Sequence, residues 1–154
     1  MTAVTERPRE TAERPPYEAY AAIFGTFAAG LAAAGALARM LGRDPREDTP
    51  LDLFILATAT FKTARTIARD DVSSFLRAPF VEAEADGERE EPKRTGGMEQ
   101  ALGELVTCTR CVGTWAAAGL ATTQILAPRF GRLLTWTLSA AAANDFLQAG
   151  FAAL

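Results

Sequence analysis

Charged and apolar residues are strongly segregated along this chain of 154 residues. Ala19 to Ala38 forms a run of 20 residues without charge, Val112 to Pro128 a run of 17 and Leu133 to Ala143 a run of 11. By contrast, nine of the 17 residues from Val81 to Gly97 are charged. At about 1.5 Å per residue, the first run is long enough for the hydrocarbon layer of a bilayer, which is roughly 30 Å thick. The pattern therefore predicts an all-α, polytopic membrane protein.

Four transmembrane helices are predicted, near residues 19–41, 51–68, 112–128 and 133–154. The second has a basic end at Lys62 and Arg65, which share one helix face and reach the lipid headgroups. An amphipathic helix on the membrane surface is the alternative for this segment. The last span contains Asp145, which either faces other helices or shows that this helix is bent and only partly inserted. In the first case Lys62 and Arg65 are its candidate partners.

The segments outside the spans are predicted to be less regular. Residues 1–18 mix charges with prolines, which is typical of a flexible tail. Residues 81–97 are acidic, end in glycines and show no periodicity, so a flexible loop is expected there. Residues 70–80 are expected to form a short interfacial helix, and a new helical pattern begins at Met98 and leads into the third span.

Lysine and arginine are distributed unequally between the two sides of this four-span topology. Eleven of the 16 lie on the side of the termini and the charged middle loop, and five lie on the other side. The positive-inside rule counts these residues rather than the net charge. The termini and the middle loop are therefore predicted to be cytoplasmic. This describes a multi-pass membrane protein, with the lipid bilayer as its surroundings.

The composition excludes several classes of function. A net charge of -3 with only two lysines excludes a basic nucleic-acid binder. The absence of histidine removes the commonest general base and metal ligand. Two cysteines are too few for a disulfide scaffold. A structural or interaction role is therefore expected ahead of an enzymatic one, and no cofactor is predicted, with zinc as the one alternative.

The zinc alternative comes from a C-x-x-C motif, Cys108 to Cys111, just before the third span. On a continuous helix Glu104, both cysteines and Trp115 would form one narrow stripe, which is a spacing compatible with a site. Arg110, or a helix start near Cys108, would favour a thiolate. Zinc normally takes four ligands, so a closed site would need a second subunit or carboxylates such as Glu104. Packing cysteines, a thiol redox pair and a metal shared between subunits all stay open.

Two stretches of the sequence, ATATFKTARTIARDDVSSFLRAPF and GELVTCTRCVGTW, occur in this order. Together they resemble the domain of unknown function family 1360, small bacterial integral membrane proteins of which some are sporulation-associated. The resemblance runs from roughly Leu51 to the end of the chain and implies a helical membrane protein without a known activity. The motif positions it carries over are Lys62, Arg65, Asp70, Asp71, Arg77, Pro79, Phe80, Gly103, Glu104, Cys108, Cys111 and Trp115.

Three functions fit these features. The first is a structural or interaction component of the membrane, assembled as a homo-oligomer or with another membrane protein. The second is a thiol-dependent or metal-dependent membrane protein that uses the cysteine pair and Glu104. The third is a minimal oligomeric transporter in which Asp145 is paired with Lys62 or Arg65. A soluble four-helix bundle is the main architectural rival, because alanine-rich helices also pack as a globular core.

Overall fold

The computed structural model describes residues 15–43, 49–83, 90–93 and 96–154. The helices are α1 (Tyr17–Met40), α2 (Pro50–Arg69), α3 (Ser74–Arg77), α4 (Gly97–Thr107), α5 (Thr109–Leu126) and α6 (Pro128–Ala152). A 3₁₀ turn, Asp71–Ser73, precedes α3. Two strands, β1 (Val81–Ala83) and β2 (Glu90–Pro92), pair antiparallel with Val81 opposite Pro92. The described chain is mostly helical, which confirms the all-α fold class.

The centre of the molecule is formed by α2, α5 and α6. Small side chains fill it: Ala59, Ala64 and Ala68 of α2 and Ala142 of α6 are all buried. Ala64 and Ala68 cluster with Val112 of α5. Because these side chains are short, the helix backbones can approach one another closely.

The start of α2 is set by a capping box. The Thr49 hydroxyl accepts a hydrogen bond from the N–H of Asp52 at 3.2 Å, and the Asp52 carboxylate accepts one from the N–H of Thr49 at 3.0 Å. Pro50 is the first helical residue, where its fixed φ suits the helix and no N–H is required. This local chemistry explains why the helix begins directly after the preceding polar segment.

A tight hairpin joins α5 to α6 through the single residue Ala127. Gly131, in the first turn of α6, packs against α5 so closely that a Cβ there would lie 2.6 Å from the Cα of Gln124. The buried hydroxyl of Thr135 accepts a hydrogen bond from the side-chain amide of Gln124 at 3.1 Å. A missing side chain and an interhelical hydrogen bond therefore bring α6 alongside α5.

In the part of the chain that the structure describes, α1 is the one helix whose length and apolar composition suffice for crossing a membrane. The other predicted spans are helical but do not combine this length with an apolar composition; they are α2, α5 and α6, predicted near 51–68, 112–128 and 133–154. The four-span topology is therefore not confirmed. Of the predicted tail, residues 1–14 lie outside the described residues, and Tyr17 already begins α1.

The segment 81–97, predicted as an unstructured loop, contains both strands and the first residue of α4. Residues 84–89 and 94–95 lie outside the described part. The expectation was wrong for the strands, because three residues per strand are too few to show an alternating pattern. The sequence of β2, Glu-Glu-Pro, also lacks the β-branched and aromatic residues that normally mark a strand. Its position is fixed by contacts with distant residues.

Candidate functional site

The C-x-x-C motif lies at a break between two helices. α4 ends at Thr107, and α5 begins at Thr109. Cys108, between them, has extended backbone angles of φ -90° and ψ 103°. The continuous helix on which the predicted stripe depends is therefore interrupted at this residue. The sulfur of Cys108 serves as the N-cap of α5, a position in which a side-chain acceptor bonds the free amides of the first turn.

The two sulfurs meet at this break. The N–H of Cys111 donates a hydrogen bond to Sγ of Cys108 at 3.3 Å. The thiol of Cys111 also donates to the same sulfur, at 2.7 Å. Both cysteines are free, with Cys108 half-buried and Cys111 exposed. The first turn of a helix favours negative charge, so the thiolate of Cys108 is stabilised by its position.

The pKa values of the two thiols shift in opposite directions. Partial burial raises the pKa of Cys108, but hydrogen bonds from the thiol and N–H of Cys111 and from the N–H of Arg110, with the Arg110 charge, outweigh it and lower the pKa below its ordinary value. Partial desolvation of its sulfur, the hydrogen bond to Cys108 and the negative charges of Cys108 and Glu104 raise the pKa of Cys111 to about 11. Cys108 is therefore the thiol that ionises first.

A groove of about 460 Å³ opens beside the cysteines, between α1, α4 and α5. Its walls are mostly apolar and include Phe24, Phe27, Leu105 and Trp115. Among the residues that line it, Glu104 is the one with a formal charge. The predicted stripe therefore corresponds to one wall of a groove, although the helix that carries it is interrupted.

Two contacts hold α1 against this groove. The Tyr20 hydroxyl donates a hydrogen bond to the Glu104 carboxylate, whose other oxygen accepts one from the side-chain amide of Gln100 at 2.8 Å. Phe27 meets Trp115 edge to face, with the ring centroids 5.1 Å apart. Glu104 and Trp115 thus attach α1 to α4 and α5 as well as lining the groove.

No group of three or more histidine, cysteine, aspartate and glutamate side chains is arranged to hold a metal ion within residues 15–43, 49–83, 90–93 and 96–154. The Glu104 carboxylate is engaged by Tyr20 and Gln100. A zinc ion shared between two subunits was the form of metal site that the sequence left open, and it stays a prediction.

A second candidate site joins α2 to α6. Nζ of Lys62 donates to Oδ2 of Asp145 at 2.7 Å, and the two side chains are 20% and 39% exposed. Phe61 and Phe146, the neighbouring residues, stack with centroids 5.5 Å apart. Of the two basic residues named from the sequence, the structure brings Lys62 to Asp145, whereas Arg65 is exposed.

Arg77 forms a third polar cluster, and its side chain is buried although it carries a charge. Nη1 donates to the carbonyl oxygens of Ile67 at 2.7 Å and Asp70 at 3.1 Å, and to the hydroxyl of Ser73 at 3.0 Å. Nε and Nη2 donate to the two carboxylate oxygens of Glu90. Hydrogen bonding to Glu90 raises the pKa of Arg77, while burial opposes the rise. The sequence did not identify Glu90 as the partner of Arg77, because nothing distinguishes Glu90 from the other acidic residues around it.

Gly103 lies under the strand pair that this cluster anchors. A Cβ on Gly103 would be 2.9 Å from Cβ of Pro92 and 3.0 Å from the carbonyl oxygen of Phe80. The same carbonyl oxygen accepts a hydrogen bond from the N–H of Lys93 at 3.0 Å. Glycine is therefore required here, because Pro92 of β2 and Phe80, which follows α3, both approach α4 closely.

The remaining motif positions are less enclosed. Asp71 and Pro79 are exposed. Asp70 is the C-cap of α2, and its carbonyl oxygen accepts hydrogen bonds from Arg77 and from the N–H of Ser73. The side chain of Asp70 makes no capping hydrogen bond to the following 3₁₀ turn.

The chain belongs to the family of proteins of unknown function DUF1360, whose family model matches residues 55–151. It is 31% identical over 104 residues to the "Sporulation protein YjcA" of Bacillus subtilis strain 168, a match that covers 64% of this chain and 88% of the relative. No solved structure matches. The family match confirms the resemblance drawn from the two sequence stretches. The matched residues include both cysteines, the Arg77 cluster and the Lys62–Asp145 pair. The family match brings no biochemical activity.

Proposed function

We propose that this protein is a multi-pass component of the bacterial inner membrane with a structural or interaction role, in which the helices near residues 19–41, 51–68, 112–128 and 133–154 cross the bilayer. The observation that carries the proposal is the distribution of side-chain size across these helices. Their buried positions are mainly alanine, glycine and threonine. Large apolar side chains point outward instead: Leu53, Phe54, Leu133, Trp136 and Phe146 are 49% to 65% exposed.

This distribution is unfavourable in water and favourable in lipid. Exposed apolar surface costs roughly 25 cal/mol per Å² in water, so soluble helices turn their large apolar residues inward. In lipid that cost disappears, and close packing of small residues is what holds helices together. The exposed apolar faces of α2 and α6 therefore support a lipid environment or contact with other membrane helices.

The first helix supports the same proposal. Its 24 residues include two buried ones, Ala19 and Ala38. Phe24, Leu31 and Leu37 are all exposed. Its length of about 36 Å, at 1.5 Å per residue, exceeds the thickness of the hydrocarbon layer.

The polar groups between the helices support a structural role. Ser139 of α6 donates to the carbonyl oxygen of Ile55 at 2.6 Å and lies 2.5 Å from the hydroxyl of Thr58. Over the described residues, no buried side-chain nitrogen or oxygen lacks a hydrogen-bond partner. Complete internal pairing is what a bilayer demands of polar groups, because lipid offers none. The Ser139 hydroxyl and the Lys62–Asp145 pair thus join α2 to α6, which supports a structural role for these polar groups.

The relative's name supports a process but not a mechanism. The Bacillus subtilis protein is named for sporulation. We extend that process to this chain, and it is tested by following the protein in growing and sporulating cells of its own host. Accumulation during sporulation is the expected result, and equal amounts in both states would argue against it.

Membrane integration is tested by washing membranes from cells that express the full chain with alkaline carbonate. Peripheral proteins are released, whereas integral proteins stay in the pellet until detergent is added. We expect the protein in the carbonate pellet and in the detergent extract. Recovery in the carbonate supernatant would instead favour the soluble bundle.

A further inference from the structure

The cysteine pair has an arrangement that the proposed membrane role does not need. We propose that Cys108 and Cys111 form a dithiol that exchanges with the disulfide of an apolar substrate entering the groove between α1, α4 and α5, with Cys108 as the attacking thiol. The inference does not depend on how many helices cross the membrane. Both cysteines precede the proposed membrane part of α5, which begins at Val112.

The helix break makes this chemistry sterically possible. Cys108 is extended and its side chain turns back over the first turn of α5, where Cys111 is located. The sulfurs already lie 2.7 Å apart, so they can join without a large movement of the backbone. Within an uninterrupted helix, residues three apart share a face but their side chains do not turn back in this way.

The surroundings give the two thiols different roles. Cys108 receives hydrogen bonds from the thiol and amide of Cys111 and has Arg110 as its neighbour, all of which stabilise a negative sulfur. Cys111 faces the negative sulfur and the Glu104 carboxylate, so it keeps its proton. An ionised attacking thiol beside a protonated resolving thiol is the division that thiol–disulfide exchange requires.

The reaction balances with a disulfide as the oxidant. The Cys108 thiolate attacks one substrate sulfur, a mixed disulfide forms, and the other substrate sulfur leaves as a thiolate that takes up a proton. Cys111 then loses its proton to solvent and attacks Sγ of Cys108. The second substrate sulfur leaves and is protonated. The substrate gains two electrons and two protons, and the oxidised pair is returned to the dithiol by exchange with a second dithiol.

The groove defines the class of substrate. Phe24, Phe27 and Trp115 supply apolar walls, and Glu104 supplies the charge among the lining residues. A neutral apolar disulfide is therefore favoured over an anionic one, which Glu104 would repel. Under the proposed function the groove lies beside the membrane, from which apolar substrates could enter. The substrate class itself is inferred from the lining residues alone.

The full chain in detergent is tested with dithiodipyridine, a neutral aromatic disulfide, and with oxidised glutathione, a charged one. With dithiodipyridine the wild type should release two equivalents of thiopyridone per chain and end with an internal Cys108–Cys111 disulfide, identified by mass spectrometry. Cys111→Ser should release one equivalent and keep a mixed disulfide on Cys108. Cys108→Ser should react at least about tenfold more slowly at pH 7, since partial desolvation and the Glu104 charge still favour the protonated form of its remaining thiol.

A second measurement separates this inference from a packing role. In the unreacted wild type, iodoacetamide should alkylate Cys108 at least about tenfold faster than Cys111 at pH 7. Cys108 has the larger thiolate fraction, and this outweighs the lower intrinsic nucleophilicity of a thiolate whose pKa is lower. Relative to free cysteine, the wild type should also prefer dithiodipyridine to oxidised glutathione. Equal alkylation of both cysteines, or a wild type that ends with two adducts and no internal disulfide, would overturn the proposal. Wild-type protein is sufficient for both results, so a folding defect of either variant cannot obscure them.

Discussion

Arg77 and Glu90 are joined by two hydrogen bonds, from Nε to Oε2 at 2.7 Å and from Nη2 to Oε1 at 3.0 Å. Arg77 ends α3 and Glu90 begins β2, so this pair ties the strand pair to the end of α2, whose carbonyl oxygens bind the same guanidinium. Arginine is suited to this position because its planar fork pairs with both carboxylate oxygens while further donors remain free.

Replacing Arg77 by lysine should therefore destabilise the protein although the charge is kept. Lysine cannot reproduce the two-point pairing and leaves buried acceptors unpaired, so we expect a loss of about 2–4 kcal/mol in the free energy of unfolding. Arg69→Lys is the matched control, because Arg69 is exposed, and it should change stability by less than about 0.5 kcal/mol. Denaturant unfolding in detergent measures both. Equal stability of the two variants would show that the cluster is not a structural anchor.

Gly103→Ala tests the close approach of β2 to α4. The new methyl group would lie 2.9 Å from Cβ of Pro92, so a shift of the strand is needed and a loss of about 1–3 kcal/mol is expected. Gly119→Ala is the control, since no atom lies within 4 Å of the Cβ position there. That change should be neutral or stabilising by up to about 1 kcal/mol, because alanine favours a helix. If both alanines stabilise the protein, β2 does not lie where the structure places it.

The Lys62–Asp145 pair is tested by a double-mutant cycle with Lys62→Gln and Asp145→Asn. Each single change leaves one charge without its partner, and we expect each to cost about 1–3 kcal/mol, less than for a fully buried pair because Asp145 is 39% exposed. The double variant should recover part of the loss. Arg65→Gln, on the same helix but exposed, should show no coupling to Asp145→Asn. Additive losses for Lys62 and Asp145 would mean that the pair contributes nothing.

Three long helices, α1, α5 and α6, could be predicted from the sequence because each contains all or most of one of the uncharged runs, and α2 could be predicted because an apolar stretch follows Pro50. Pro50 and Pro128 begin α2 and α6, and both lie within a few residues of the predicted starts. The strand pair could not be predicted, since the position of β2 depends on its contacts with Arg77 and Gly103, and neither residue carries a strand pattern. Tertiary contacts decide such short elements.

The candidate sites were predictable to different degrees. The spacing alone predicted Glu104, Cys108 and Cys111 on one side of a helix, and in the structure all three line one groove. A helix start near Cys108 was one alternative, but the sequence could not select it over a continuous helix, because Thr-Cys-Thr contains neither glycine nor proline. The choice of Lys62 over Arg65 as the partner of Asp145 depends on the rotation of α2 against α6, which periodicity does not determine.

The most direct test of the membrane account is the sidedness of small epitopes placed at the N-terminus, after Arg46, after Asp86 and at the C-terminus of the full chain. Four spans place the N-terminal, Asp86 and C-terminal epitopes together in the cytoplasm and the Arg46 epitope on the opposite side. A protein in which α1 alone crosses would have the Arg46, Asp86 and C-terminal epitopes together, opposite the N-terminus. We expect protease in intact spheroplasts to remove only the Arg46 epitope. Detection of the N-terminal and Asp86 epitopes on opposite sides of the membrane would contradict the four-span account.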